Sequence, residues 1–348
     1  VAGADLFAQG SLEPPETAFT NGQPAATMKT LDQLEPRRPI YRIPFTITSP
    51  GAYYLTSSME GSNGIVISVS DVQLDLNGFS IRGLTNSSDG ISISITNDYE
   101  AHNIDIFNGA VIEWGGWGLN ITNLSDGTIR DVKCYMNQSG GIRVGNQIAL
   151  KGCAVGECGG PGLVMGDAAS VTKCHVMDNA GTGLKTGLGP RVAESMFVSN
   201  KGDGVNLASY GTISDCLFGR NWTNGIVVSN SCLVLNNNCA ENGVTNSSGA
   251  GILILGRGNR IENNNLTGNH HGILAQGAGN RMENNNVIDN SVGMEDNGGN
   301  LVIRNSVGGP GTGYSLSTNT QFGAILENVG NGFSNSNPWA NFQLPAEP

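Results

Sequence analysis

Charge and aromatic rings are both scarce in this chain. Asp, Glu, Lys and Arg together make up 14% of the residues, and Phe, Trp and Tyr only 6%. So few charges rule out a self-repelling solvated coil, and 38% apolar residues in regular spacing argue against general disorder. What charge there is sums to −11, which makes nucleic acid and anionic membrane surfaces poor partners. No apolar run approaches the roughly 18 residues that a transmembrane helix needs. No ten-residue window carries a helical apolar stripe, so a helical core is not expected. The seven cysteines are odd in number and cannot all pair within the chain. No CxxC pair or Cys/His cluster has metal-ligand spacing, so no metal or cofactor is expected from these residues. The first residue is Val1 rather than Met, which suggests a mature, secreted protein whose leader has been removed.

Glycine is the residue in excess, at 51 of 348, about twice its usual share. Many of these glycines open the same phrase, Gly–apolar–any–apolar. It reads "GIVI" from Gly64, "GISI" from Gly90, "GLNI" from Gly118 and "GIRV" from Gly141. It continues from Gly162, Gly183, Gly204, Gly225, Gly251, Gly272 and Gly293. From Gly141 to Gly225 and from Gly251 to Gly293 the step is 21 residues; between Gly225 and Gly251 it is 26, with "TNSSGA" as the inserted loop. Aligning the repeats defines further slots. One apolar slot holds Leu150, Val171, Val192, Ile213, Ile261 and Met282; a second holds Cys134, Val155, Val176, Phe197, Phe218, Cys239, Leu266 and Val287. Between them lies a slot for Cys153, Cys174, Ser195, Cys216, Asn237, Asn264 and Asn285. A corner slot holds Asn137, Asn179, Asn200, Asn221, Asn242, Asn269 and Asn290.

Alternation with period 2 between Gly and Asn corners means short strands. A coil of about 21 residues cannot bury its own apolar side, but it can stack on a near-copy of itself about 4.8 Å away. Aliphatics then pile on aliphatics, and Asn on Asn, whose amides can hydrogen-bond up and down the stack. Gly and Asn are expected to supply the left-handed backbone that tight corners need. The predicted fold is all-β: a single-stranded parallel β-helix of about 11 coils, with buried Cys as small apolar filler.

The coil phrase "GILILGRGNRIENNNLTGN" and the segment "DVQLDLNGFSI" (71–81) resemble the secreted right-handed parallel β-helix superfamily of pectate-lyase-like proteins. The segment "TMKTLDQLEPRRPI" (27–40) followed by "FTITSPGAYYL" is similar to an uncharacterised bacterial subgroup of it. The resemblance covers about residues 27–340. It implies a right-handed coil and an extracellular location, while leaving activity open, since lyases, hydrolases, epimerases, adhesins and structural proteins share the fold. Enzymes of the superfamily work on the outer face of one sheet, in a groove crossed by a sugar chain. Lyase chemistry there needs a Lys or Arg to remove the proton beside a uronate carboxylate and a cation, calcium in some members, to neutralise it.

The outward column after each anchor glycine contains Arg143, Val164 and Lys185, so the two cations should sit two coils, roughly 10 Å, apart. A neighbouring column carries Lys173, Glu194 and Asp215 beside His175. These six residues are the candidate lyase site; a solvated face whose alternating charges avoid like-charge stacking is the simpler account of the same pattern. Trp114, Trp117 and Trp222 are the candidate sugar-stacking platforms. His270 and His271 fall at a corner that accepts many residue types and read as a surface loop.

Seven of the 13 prolines precede residue 51, including Pro14 and Pro15. Residues 1–45 therefore read as an extended arm, 46–310 as the β-helix and 311–348 as a C-terminal cap and tail. An open β-helix end must be capped or paired with another chain. The arm and tail, with Pro14, Pro15, Phe19, Trp339 and Phe342 as contacts, suggest self-assembly into a homo-oligomeric extracellular filament or matrix. The alternative is a polysaccharide lyase or other carbohydrate-active enzyme acting on an extracellular polysaccharide; a carbohydrate-binding or adhesive module is the third.

Overall fold

A computed structural model of the protein describes residues 35–95, 101–243, 249–327 and 336–345, together with the backbone of the short strands Phe19–Thr20 and Gln23–Pro24. The chain divides into two compact units, Val1–Arg38 and Pro39–Pro348. In the first, Phe19–Thr20 pairs antiparallel with Gln23–Pro24; Pro14 and Pro15 lie outside the described residues.

The second unit is a parallel β-solenoid in which most coils contribute three short strands, while Ile104–Ile112 and Gly127–Tyr135 each run through two rows as one strand. The first sheet has 13 strands, from Phe45–Ile47 through Gly140–Val144 and Leu184–Lys185 to Thr312–Leu316. A second row includes Ile148–Lys151, Arg191–Ala193 and Arg281–Glu283, and a third includes His175–Met177, Leu217–Gly219 and Ser306–Gly308. The coil count exceeds the expected 11 because the end coils lack the full phrase. Pro44 replaces glycine before Phe45, and Gly313 is followed by Tyr314 rather than an aliphatic residue.

Strand register places like on like. Leu150, Val171, Val192, Ile213, Val234, Ile261, Met282 and Val302 align across successive second-row strands, and all are buried. Phe197 and Phe218 align in the third row with ring centroids 5.3 Å apart and planes within 5° of parallel. All seven cysteines are unpaired and buried. Burial pushes the Cys216 thiol up to about 12, and those of Cys134 and Cys239 well above the usual range, so these sulfurs act as apolar filler.

The corners are held by buried amides. Asn179, Asn200, Asn221, Asn242, Asn269 and Asn290 form a continuous ladder, each side-chain N–H donating to the next side-chain oxygen at 2.9–3.1 Å. Asn221 is representative. Its Nδ2 donates to the Phe197 carbonyl at 3.0 Å and to Asn242 at 2.9 Å, while its oxygen accepts from Asn200 Nδ2 and the Asn200 backbone N–H, both at 3.1 Å. With two N–H donors and an acceptor oxygen, the amide bonds the next coil's amide and a backbone carbonyl at once; a hydroxyl has one donor and a carboxylate none. Asn237, Asn264, Asn285, Asn305 and Asn341 form a second ladder. A third, not anticipated, joins Asn259, Asn280 and Asn300.

Gly and Asn supply the left-handed backbone at several corners, among them Asn236, Asn263 and Asn284 before the second ladder and Gly258, Gly279 and Gly299 before the third, with φ of 54–76°. Before the buried Asn of the first ladder the left-handed residues are Asp178, Ser199, Arg220, Glu241, Gly268 and Asp289, with φ of 54–65°. The buried Asn itself does not have positive φ. The anchor glycines are not left-handed either. They are needed for close approach: a Cβ on Gly204 would lie 2.6 Å from the Gly225 carbonyl oxygen and 2.8 Å from Asn221 Nδ2.

The C-terminal tail is built into the stack. Asn341–Gln343 pairs in parallel with both Ser306–Gly308 and Ile325–Glu327, inserting between them out of sequence order. Asn341 thereby occupies the next rung after Asn305.

Replacing Asn221 by Ala strands the Asn200 donors in an apolar corner. It should lower unfolding free energy by about 2–4 kcal/mol, while Asn206→Ala on the exposed outer face changes it by less than about 0.5 kcal/mol. Chemical denaturation of the two variants checks this.

Candidate functional site

The first sheet presents Arg143, Val164 and Lys185 on its outer face in consecutive paired strands, since Arg143 aligns with Val164 and Val164 with Lys185. Both cations are exposed and Val164 between them is half-buried. At about 4.8 Å per coil they stand roughly 10 Å apart, and their long side chains can both reach the gap over Val164. Upstream, Trp117 is half-buried with its ring lying against Gly140, where a Cβ would come within 2.4 Å of the indole. The Arg143 guanidinium carbon is 5.9 Å from the Trp117 ring centroid, so the ring steadies the cation. Asn120, aligned with Arg143, donates to Asp89 at 2.8 Å. The strip thus combines an aromatic face, amides and two cations.

Lys173, Glu194 and Asp215 stand elsewhere, at the corner between the second and third rows, each in left-handed conformation with φ of 50–57°. That backbone turns their side chains outward. They flank an open groove of about 550 Å³ lined by His175, Glu194, Met196, Asp215, Leu217 and Asn238. Lys173 Nζ lies 3.6 Å from Glu194 Oε2, both well exposed, so the pair adds little stability. The Asn236 amide donates to Asp215 at 3.3 Å. The six expected site residues therefore form two sites on different faces: a cationic strip and a groove with more acid than base.

The tryptophans divide similarly. Trp114 has no exposed surface; its indole N–H donates to the Ile81 carbonyl at 3.2 Å, and it belongs to the core. It occupies the corner position held by Asn137 in the next coil, whose side-chain oxygen accepts from the Trp114 backbone N–H at 3.0 Å. Trp222 is 39% exposed beside Lys201, whose Nζ is 5.3 Å from its ring. Trp339 is 47% exposed, with the Arg304 guanidinium carbon 4.4 Å from its ring. Phe342 sits half-buried in the inserted strand Asn341–Gln343.

His271 is not the surface-loop residue expected. It lies in the first-sheet strand His271–Ala275, is only 8% exposed, and places Nε2 3.0 Å from Glu295 Oε2. Asn297 donates to the other Glu295 oxygen at 2.9 Å. With Nε2–H donating to the carboxylate, Nδ1 is a buried acceptor without a hydrogen-bond partner among the described residues. Burial, and next the His270 charge, push the imidazole below its ordinary value of about 6.5, against the opposing pull of Glu295. Only the spacing between His271 and Glu295 on adjacent coils could have revealed the pair in the sequence.

The family described as "Right handed beta helix region" matches residues 54–192, and the one described as "Periplasmic copper-binding protein (NosD)" matches residues 189–318. The fold is a right-handed parallel β-helix. Among curated proteins no sequence matches this chain. Among solved structures it is similar to the Azotobacter vinelandii mannuronan C-5 epimerase AlgE6 A-module, with TM-score 0.55 and 14% identity, covering 86% of this chain and 91% of that one. The A-module of AlgE4 from the same organism gives TM-score 0.49 at 13% identity, covering 77% of this chain and 91% of that one. The enzymatically active domain of bacteriophage CBA120 tailspike protein 2 gives 0.48 at 12%, covering 82% of this chain and 48% of that one. The likeness to the AlgE6 module bears on the fold alone. Copper appears in the name of the second family. Among the described residues no three His, Cys, Asp or Glu side chains converge as a metal site, so these residues do not fit a copper centre.

The unfolded chain protonates histidine near its ordinary value, whereas folded His271 resists protonation. The stability this residue contributes is therefore complete above about pH 6.5 and is lost as pH falls below it. His271→Gln should flatten that acid-side decline, read as unfolding free energy against pH; an unchanged profile would show that His271 titrates normally.

Proposed function

We propose that the protein acts on a uronate polysaccharide outside the cytoplasm, binding it over the outer face of the first sheet. The observation that carries this reading is the pair Arg143 and Lys185 flanking Val164, with Trp117 stacked beside Arg143, on a chain whose net charge is −11. A cationic strip on an acidic protein concentrates an anionic polymer where the rest of the surface repels it. Trp117 offers a face to a sugar ring, and Asn120 and Asn206 offer amides for hydroxyl groups. The polymer class agrees with mannuronan, the polymer named for the similar C-5 epimerase module. The periplasmic family name agrees with an extracellular or periplasmic location. Among the described residues no helix is long and apolar enough to cross a membrane.

The chemistry suited to the strip is β-elimination. Arg143 pairs with the uronate carboxylate and stabilises the charge that develops as the neighbouring C–H bond breaks. The Lys185 amine nitrogen stands on the other side of the gap as the base that takes that proton from C5. The C–H electrons become the C4–C5 double bond, and the C4–O glycosidic bond breaks with its electron pair leaving on oxygen, which is then protonated. The groove over His175, Glu194 and Asp215 is the second candidate. Its paired carboxylates suit acid–base hydrolysis of a neutral glycoside rather than capture of an anion. Assembly into a filament draws no comparable support: Trp339 packs on Arg304 and Phe342 is in the coil stack of its own chain.

The test is incubation with polygalacturonate and polymannuronate, reading the absorbance of unsaturated product. Lys185→Ala should reduce the rate by about 10²-fold or more, and Arg143→Gln should raise KM for the acidic polymer. Absence of both product and binding across uronate polymers rejects the reading. Reducing ends released from a neutral glucan, and lost in Glu194→Gln, would move the function to the corner groove.

A further inference from the structure

The C-terminal end of the solenoid carries a second binding surface that neither the strip nor the corner groove uses. Leu301 and Ile303 form an apolar wall of a cavity of about 380 Å³, and Phe322 and Trp339 stand at its sides, 52% and 47% exposed. Arg281, Gln321 and Asn337 supply its polar rim. Two half-exposed aromatic side chains facing one cavity are notable in a chain with 6% aromatics.

The surroundings of the cavity are built rather than loose. Glu283, with 3% of its side chain exposed, accepts from Arg281 Nε at 2.5 Å and from Arg304 Nη1 at 3.0 Å. The Arg281 guanidinium holds the Glu283 carboxyl below the usual carboxylate range, so it stays charged and keeps both arginines in place. Arg304 in turn donates to the Pro338 carbonyl at 2.9 Å and lies over the Trp339 ring, which fixes the segment that carries the tryptophan. Trp339 N–H donates to Asn337 Oδ1 at 2.9 Å, fixing the rim amide as well. Two arginines against one glutamate leave a local excess of one positive charge on an acidic protein.

We propose that this cavity is a saccharide-binding site for a uronate residue, separate from the catalytic strip. The aromatic side chains stack on the apolar face of a pyranose ring, while Gln321 and Asn337 hydrogen-bond its hydroxyl groups. Arg281, held through one edge by Glu283, turns its remaining donors to the ring carboxylate. Arg281 lies four coils beyond Lys185, about 20 Å along the axis and on another face, so the site holds polymer without entering the elimination step. The uronate preference rests on the polymer class proposed above.

The experiment titrates galacturonate and mannuronate hexasaccharides, with cellohexaose as the neutral control, into the full chain by calorimetry. Lys185→Ala protein is used alongside wild type, so that catalysis and this site are read separately. Binding should persist in Lys185→Ala and weaken about tenfold or more in both Trp339→Ala and Phe322→Ala, with circular dichroism confirming the fold. With the strip silenced by Arg143→Gln together with Lys185→Ala, Arg281→Gln should abolish the remaining preference for acidic over neutral sugar. Failure of Lys185→Ala protein to bind, indifference to both aromatic substitutions, or equal affinity for cellohexaose overturns the proposal. Self-association lost in Trp339→Ala, without sugar binding, would assign the cavity to a second copy and overturn it as well. Binding without eliminase activity would sink the proposed strip chemistry and leave this site intact.

Discussion

Every coil of this protein sends its backbone N–H and C=O groups along the solenoid axis, so each must be matched by a neighbour about 4.8 Å away. That demand for register governs the rest. A one-residue slip would turn Ile261 or Met282 outward and bring a charged neighbour in. It also restricts what can fill an inward corner. A polar side chain there meets its own counterpart above and below and a backbone carbonyl beside it, and an amide has the two donors and the acceptor that meet all three. The three Asn ladders follow from this, as do the thiols and Ser195 where the corner is filled without an amide. Gly204 and its relatives follow from the same spacing, because a Cβ would strike the carbonyl of the next coil.

The same constraint pushes function outward. Inward slots must fit the coils above and below and seldom vary, whereas outward columns meet solvent and vary freely. Arg143 and Lys185 are separated by Val164, and Lys173 is followed by Glu194 at 3.6 Å, whereas Glu194 is followed by Asp215 and Arg260 aligns with Arg281, so solvent at the outer face tolerates like charges on adjacent coils. Chemistry is therefore written across coils rather than along the chain. Residues 21 apart in sequence are neighbours, while Lys173 and Lys185, only 12 apart, sit on different faces.

Much of this was legible because the period is short and the slots are strict. The inward rows, the first two Asn ladders, the buried thiols and the spacing of Arg143 and Lys185 follow from aligning repeats. The third ladder was also written in the sequence, as the Gly–Asn pairs at Gly258, Gly279 and Gly299. Other features were hidden for definite reasons. Trp114 occupies a corner that the next coil gives to Asn137, and composition cannot tell a core indole from a platform. His271 departs from what other coils place before the anchor glycine, so alignment marks it as tolerated, whereas Glu295 on the adjacent coil makes it a buried partner.

The sequence by itself determined the coil: its length, the residues that face inward, and the need for stacked near-copies, because a period-2 pattern repeated every 21 residues has no other way to bury its apolar side. Tertiary structure decided which outward residues meet. The angle at each corner sends Lys173, Glu194 and Asp215 to one edge and Arg143 and Lys185 to another face. It also decided how the stack closes. Asn341 enters the ladder after Asn305, 36 residues earlier, since a free rung is satisfied by any amide the chain can bring back to it, and no local pattern records that return.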